Sequence, residues 1–380
     1  MGPEQLRAPG PPRYATRGIS VRCFQRCDEE KGETSPTRVY MPDSQLNGAE
    51  RGLQQPFSKS LFFNGLMMLL AVGLAYLPIR ALPDLRALPP ATSGLVYRPV
   101  TLPAAEGPLR LVGAWELETE DHRFGGLSAL ALEDGHFLTV GDRGSVARFP
   151  KPMAGQASVW VADLRDGPRA WGERWARDAE SLASDPQGRG WWVGYEQNHS
   201  IYLYDTGFGR ALTGIDLRRK KWPNNRGAEG LLPEGEHLLV LAVNGRKTLR
   251  VDGGDLEDLP LRAGADVAEA ASAPDGSAWL LLRSKGLDGI QQSIARLIRT
   301  EAGYLVGKPM PVPKAVLDNY EGMAIEQRPG GGLRFWLITD DGHRIMARTL
   351  LVALDLDLPI GQKKSPARGA GLPKKRNGKS

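Results

Sequence analysis

Carboxylates recur at one place in this 380-residue sequence. In "NYEGMAIEQRPGGGLRFWLITDDG", residues 319–342, Glu321 opens a short apolar run and Asp340 closes the next one. The same arrangement returns in "FGGLSALALEDGHFLTVGDRG" from Phe124, "DAESLASDPQGRGWWVGYEQNHSIYLYD" from Asp178, "GAEGLLPEGEHLLVLAVNG" from Gly227 and "DVAEAASAPDGSAWLLLRSKG" from Asp266. Aligning Gly126, Glu180, Glu229, Glu269 and Glu321 gives steps of 54, 49, 40 and 52 residues. Clustered carboxylates repel one another unless a cation or basic side chains sit among them. An all-oxygen donor set favours calcium or magnesium over zinc. Glu180, Glu229, Glu321 and Asp340 are therefore the candidate ligands of a divalent cation, with calcium the first choice. The alternative for each is an ordinary structural role, capping a strand or pairing with an arginine.

Other chemistry is scarce. The sequence has no G-x-S-x-G nucleophile elbow, no H-E-x-x-H and no P-loop. Asp142 and Glu196 follow second apolar runs, and His199 stands three residues after Glu196. Arg143 in "GDRG" and Arg226 in "NNRGAEG" carry the planar fork that suits oxyanions. Asp142, Arg143, Glu196, His199 and Arg226 are thus the candidate catalytic set. Attack by a water on a cation-polarised ester is the mechanism such residues allow. The bland readings are salt bridges for the arginines and a turn position for His199.

Repeats of 40–54 residues, each with two apolar runs around a turn such as "EDG", "PEG" or "PDG", predict an all-β β-propeller. Five four-stranded blades are visible, and the pattern leaves room for a degenerate sixth. In such a ring the first strand of each blade lines the central channel, so equivalent acids converge at one mouth. "LRLVGAWELE" (109–118) and "TLLVALDL" (349–356) each lack a sequence neighbour to pair with, and joining them in one blade would close the ring. An irregular β-sandwich is the competing fold.

The order and content of "GGLSAL", "VGDRG", "DAESLA", "GYEQNHSIYLYD", "NRGAEGLL" and "YEGMAIE" resemble the phytase-like family, described by esterase-like activity of phytase and found mostly in exported bacterial proteins. The likeness spans roughly 108–356. It implies a propeller that hydrolyses phosphate or other esters, by analogy with calcium-dependent phytases. A non-catalytic propeller that binds a ligand or protein in the cell envelope is the second reading, since propellers host both. The chain lacks the dense basic cluster that a substrate as charged as phytate favours.

Charge and hydropathy divide the chain. The formal net charge is +5, but residues 361–380 carry seven Lys or Arg and no acid, and 1–59 carry +2. Residues 60–360 are left at −4. Residues 61–79 hold no charge, which fits a membrane anchor or a signal-peptide core helix and exports the acidic body. Residues 1–58 read as an unstructured leader, or as the product of a start placed too early, with Met41 the later one. The further expectations are a helix at 59–80, a linker at 81–107, the propeller at 108–358 and a basic disordered tail at 359–380. Cys23 and Cys27, the only cysteines, form an isolated C-x3-C pair with no nearby histidine and read as incidental. The expected protein is a periplasmic or otherwise extracytoplasmic monomer, anchored in the membrane through 61–79 or secreted by it, that acts on a small ester or an envelope ligand and binds no nucleic acid.

Overall fold

The turns named above are hairpin turns. Asp134 and Gly135 both take positive φ, at 47° and 79°, as a two-residue turn matching the twist of antiparallel strands requires. The apolar runs on either side become strands because alternate residues can be buried between neighbouring sheets. The computed structural model describes residues 67–68, 86–153, 155–171, 173–223, 226–286, 289–315 and 319–357. These strands lie in the compact unit Phe63–Ser380; the other unit, Met1–Phe62, is outside the described residues. The uncharged run 61–79 is also outside them, apart from the helical residues 67 and 68. Among the described residues no helix is long and apolar enough to cross a membrane.

The chain begins its ordered path with β1 (Ala91–Pro99) and β2 (Leu109–Thr119). Then come β3 (Leu127–Glu133), β4 (His136–Gly141), β5 (Ser145–Pro150) and β6 (Ala157–Asp163), paired antiparallel in that order. The pattern repeats with β7 (Ala179–Ser184), β8 (Gly190–Tyr195), β9 (Ser200–Asp205) and β10 (Ala211–Asp216). It repeats again with β11 (Ala228–Glu234), β12 (His237–Ala242), β13 (Lys247–Asp252) and β14 (Asp255–Arg262). Next are β15 (Asp266–Ser272), β16 (Ala278–Gly286), β17 (Gly289–Thr300) and β18 (Gly303–Val306), with β19 (Met310–Pro311) against β17. The last strands are β20 (Asn319–Gln327), β21 (Leu333–Asp340) and β22 (Leu350–Leu356).

β22 pairs with β21 on one side and with β2 on the other, Leu109 facing Leu356. β2, from the N-terminal side of the chain, thus completes the C-terminal unit, which satisfies both unpaired edges. The first strands β3, β7, β11, β15 and β20 contact one another in a cycle, with β20 returning to β3. The apolar core is divided to match: each buried cluster lies between two adjacent four-stranded units. Val140 and Trp191 share one, Trp192 and Val240 the next, Leu239 and Leu280 a third, Trp279 and Phe335 a fourth, and Phe137 and Trp336 the one that closes the cycle. This is the all-β arrangement of a propeller.

The expected linker 81–107 contains a strand. β1 pairs with β2 (Leu95 opposite Thr119) and with β6 (Ala91 opposite Val161), bridging the first and last units. Only Leu95 of this strand is buried, and Pro99 ends it, so its composition hides it: backbone pairing on two sides, not an apolar face, makes it a strand.

Candidate acidic site at one channel mouth

Every first strand carries a β-bulge at the same place. The pairing register skips Ser128 in β3, Glu180 in β7, Glu229 in β11, Ala268 in β15 and Glu321 in β20. A bulge leaves one residue unpaired and re-aims its side chain, and bulges gather beside functional sites. Three of the five bulge residues are glutamates. The exits of the second strands follow the same rule. Leu127, Ala179, Ala228, Val267 and Tyr320 face Gly141, Tyr195, Ala242, Leu282 and Thr339. The residues one step beyond are Asp142, Glu196, Val243, Arg283 and Asp340. Two layers of mostly polar side chains, interrupted by Ala268 and Val243, therefore stand at one end of the first strands.

Alignment by glutamate misplaces two members of the sequence-derived ring. Ser128, not Gly126, and Ala268, not Glu269, hold the bulge positions. The fourth repeat has one residue more before its glutamate, and a one-residue slip in a strand changes the face a side chain takes. Glu269 is instead almost wholly buried. Its Oε1 accepts the Ala270 N–H at 2.7 Å, and the Leu130 backbone N–H also bonds to it. Burial pushes its acid well above the usual range.

The tightest group is Asp178, Glu180 and Glu196, with one carboxyl oxygen from each lying within 4.8 Å of the others. Asp178 precedes β7, and its carbonyl accepts the Glu196 N–H at 2.9 Å, which locks the two ends together. Asp178 and Glu180 share a side-chain hydrogen bond, and so do Glu196 and Glu229. Two carboxyl groups can bond only if one holds a proton. Burial, followed by the charges of Asp178 and Glu229, drives Glu180 well above its ordinary range. Burial and then Glu196 do the same to Glu229. Asp178 is pushed up to about 7, first by burial, against hydrogen bonds to Glu180 and Gln197 that pull it down.

Glu321 has a different neighbour. Arg283 Nη1 donates to its Oε1 at 2.5 Å, so burial raises it only to about 7. Arg283 also feels Glu229 and Glu180. Asp340 is raised well above its range by burial and then by Asp142; its Oδ1 accepts the Gly342 N–H at 2.6 Å. Asp142 lies 3.3 Å (Oδ1) from Nε2 of the buried His343. His199 is buried at φ 45°, its ring edge-on to Trp222 with centroids 6.1 Å apart. Neither of its ring nitrogens has a hydrogen-bond partner among the described residues. Arg143 is half-buried beside Asp142, and Arg226 is exposed just before β11.

The site thus gathers Glu180, Glu229, Glu321, Asp142, Glu196 and Asp340, with Asp178, Arg283 and His343 added by the fold. Asp178 was readable in "DAESLA" as the acid two places before Glu180. Arg283 sits in "LLLRSKG" at the register place of Asp142, which a search for acids passes over. The oxygen-only group of Asp178, Glu180 and Glu196 fits a hard divalent cation: it offers converging carboxylates whose alternative is to hold protons between them.

Several solved structures resemble this chain at low identity. Kuenenia stuttgartiensis hydrazine synthase is 13% identical with TM-score 0.34, covering 57% of this chain, and the match spans 56% of that chain. An alpha-L-arabinofuranosidase from Podospora anserina is 10% identical with TM-score 0.37, over 69% of this chain and 96% of the other. The Cps50 β-propeller domain from Myceliophteria thermophila is 9% identical with TM-score 0.34, over 67% and 99%. No curated protein matches the chain. A family model does match, over residues 122–343, more than half of the sequence and the whole stretch that builds the acidic mouth. The chain belongs to the phytase-like family, described as having esterase-like activity of phytase.

Proposed function

We propose that this protein is a hydrolase of phosphate or other esters, assisted by a divalent cation, that works outside the cytoplasm on a five-bladed propeller. The observation that carries the reading is the convergence of Asp178, Glu180 and Glu196 within 4.8 Å at the mouth of the channel. Membership of a family defined by esterase-like activity supports it.

In this reading Asp178, Glu180 and Glu196 hold the cation, calcium being the hard ion their oxygens suit best. A cation held there would polarise the ester oxygen and make a bound water more acidic. Glu229, bonded to Glu196, takes up or gives back the proton those two share. Asp142, on the same rim and partly open to solvent, accepts the proton of the attacking water. Arg283 balances Glu321 and limits the negative charge that an anionic substrate meets. Arg143, half-buried next to Asp142 in sequence, and Arg226, exposed just before β11, would receive substrate oxyanions in this reading. The uncharged run 61–79 would deliver the body to the envelope, as an anchor or a signal.

The test is hydrolysis of generic phosphate and carboxylate esters by the full-length protein, with calcium and with a chelator. Calcium-dependent turnover that Glu180→Gln reduces is the expected result. Calcium binding with no turnover on any ester would overturn the enzyme reading in favour of a ligand-binding propeller.

A further inference from the structure

The chain enters the propeller at the face that bears the acidic mouth. Leu88 donates its N–H to Asp163 Oδ2 at 2.6 Å, and Arg165 Nη2 donates to the Leu88 carbonyl at 3.3 Å. The Pro89 carbonyl accepts Nη1 of the buried Arg123 at 3.1 Å. Asp163 ends β6 opposite Ser145, and the next residue, Leu164, donates its N–H to the Gly144 carbonyl at 2.8 Å, two residues beyond Asp142. Residues 88 and 89 are thus fastened beside the mouth. From there β1 leads away, with Ala91 opposite Val161 and Leu95 opposite Ala157. The uncharged run ends at 79, nine residues before Leu88. A fully extended chain spans at most about 3.6 Å per residue, so this tether reaches no further than about 32 Å. Turning the far face to a bilayer would make it pass the length of a blade first, about 20 Å for a six-residue strand.

The same face carries what a lipid surface attracts. Asp341 fixes the turn between β21 and β22: its Oδ1 accepts the N–H groups of His343 at 2.8 Å and Gly126 at 2.9 Å, which lays the turn over the start of β3. At the tip of this turn Ile345 and Met346 are 51% and 61% exposed, and Arg344 before them is exposed too. Arg86, Arg165 and Arg226 are exposed at the same end. The acids of the mouth are turned inward, with Glu196, Glu229 and Glu321 buried. Asp166, exposed beside Arg165, accepts the Ala211 N–H at 3.1 Å. Arginines on the rim and two adjacent bare apolar side chains match the layer where anionic headgroups meet acyl chains.

We propose that this face docks on an anionic lipid surface, with Arg165, Arg226 and Arg344 against the headgroups and Ile345 and Met346 in the interfacial layer, so that the acidic mouth opens onto headgroups. The proposal rests on the reading of 61–79 as an anchor and stands whether or not the protein hydrolyses esters.

The test is hydrogen exchange read by mass spectrometry on the full-length protein inserted in vesicles. Exchange in the turn 342–348 should be several-fold slower in phosphatidylglycerol vesicles than in phosphatidylcholine vesicles, with the far turns 134–135 and 328–331 unchanged. The difference should shrink in 1 M salt, where charges are screened beyond about 3 Å. The double substitution Ile345→Ser and Met346→Ser, at two exposed positions, should lose most of the protection. Met153→Ser, 59% exposed at the far end, should keep it. Equal exchange in the two lipids, protection of the far turns instead, or protection that follows protein concentration without vesicles would each overturn the proposal, the last assigning the face to a second copy of the chain. A mature protein cut between residues 79 and 88 would overturn it as well. None of these outcomes depends on turnover, so a protein that docks without hydrolysing any ester is told apart from one that does neither.

Discussion

The two ends of the first strands hold carboxylates in opposite ways. At the far end Glu133 accepts Trp191 Nε1–H at 3.1 Å and pairs with Arg148 at 2.5 Å. Glu326 likewise accepts Trp336 Nε1–H at 2.9 Å and pairs with Lys151. Each has one indole and one cation. At the near end Glu180 bonds to Asp178 and Glu229 to Glu196, acid to acid. Between the far ends of β3, β7, β11, β15 and β20 lies a cavity of about 430 Å³, walled by side chains such as Leu130, Leu182, Leu231 and Met323. The same strands thus build an apolar, charge-balanced end and an acidic, bulged end. Carboxylates that are individually satisfied serve the fold. Carboxylates satisfied only by sharing protons weaken it, and a cation among them would relieve that.

The largest effect should come from the apolar side of this contrast. Phe335 is fully buried and packs edge-on against Trp279, with centroids 5.1 Å apart. Phe335→Ala should cost about 3–5 kcal/mol by chemical denaturation, the usual loss for a large core residue. Calcium should stabilise the variant as much as wild type. A variant that lost its calcium response would show that the two ends are coupled.

Glu229→Gln tests the acidic end, with the opposite sign. It keeps shape and removes a charge that burial and Glu196 oppose. Cation-free stability at pH 8 should rise, because the amide needs no proton to lie buried against Glu196. The calcium-induced gain in melting temperature should shrink. A Glu229→Gln protein less stable than wild type without calcium would mean that the carboxylate is structural.

The next effect is read in pH. Asp178 and Glu321 are raised to about 7 in the folded protein, from carboxylates that titrate near 4 when unfolded. Between those values the native state holds more protons than the unfolded chain, so stability falls as pH rises. The melting temperature of the calcium-free protein should therefore decline from pH 5 towards pH 8. Saturating calcium, which binds only the deprotonated folded site, should flatten or reverse that decline. A calcium-free profile that rises from pH 5 to 8 would contradict the shared-proton description.

Much of this contrast is legible in the sequence. The repeated hairpins locate β3, β7, β11, β15 and β20, and acids at their starts mark the mouth. Closure by β2 and β22 follows from two strands without partners. Three things were hidden. β1 has almost no buried face, so periodicity does not reveal it. The bulge makes position, not letter, decide which residue faces the channel: Ala268 occupies the place and Glu269 does not. Arg283 and His343 enter the site through register and through a turn held by Asp341, and both contacts join units distant in sequence.

The smallest effect should come from Lys151→Ala, at the far end. Lys151 and Glu326 are both partly exposed, at 33% and 23%. Ion pairs in such positions contribute about 0–1 kcal/mol, because water screens them and ordering two long side chains costs entropy. Glu326 keeps its bond from Trp336 and can turn its freed oxygen to solvent, so no buried charge is left alone. The expected loss is under about 1 kcal/mol, with pH profile and calcium response as in wild type. This near-silence sharpens the comparison, because a carboxylate on the same strand as Glu321 loses its cation at little cost when it is not forced against another acid. A large loss, or an altered calcium response, would show that charge at the apolar end reaches the acidic mouth through β20, and the two ends would have to be treated as one electrostatic unit.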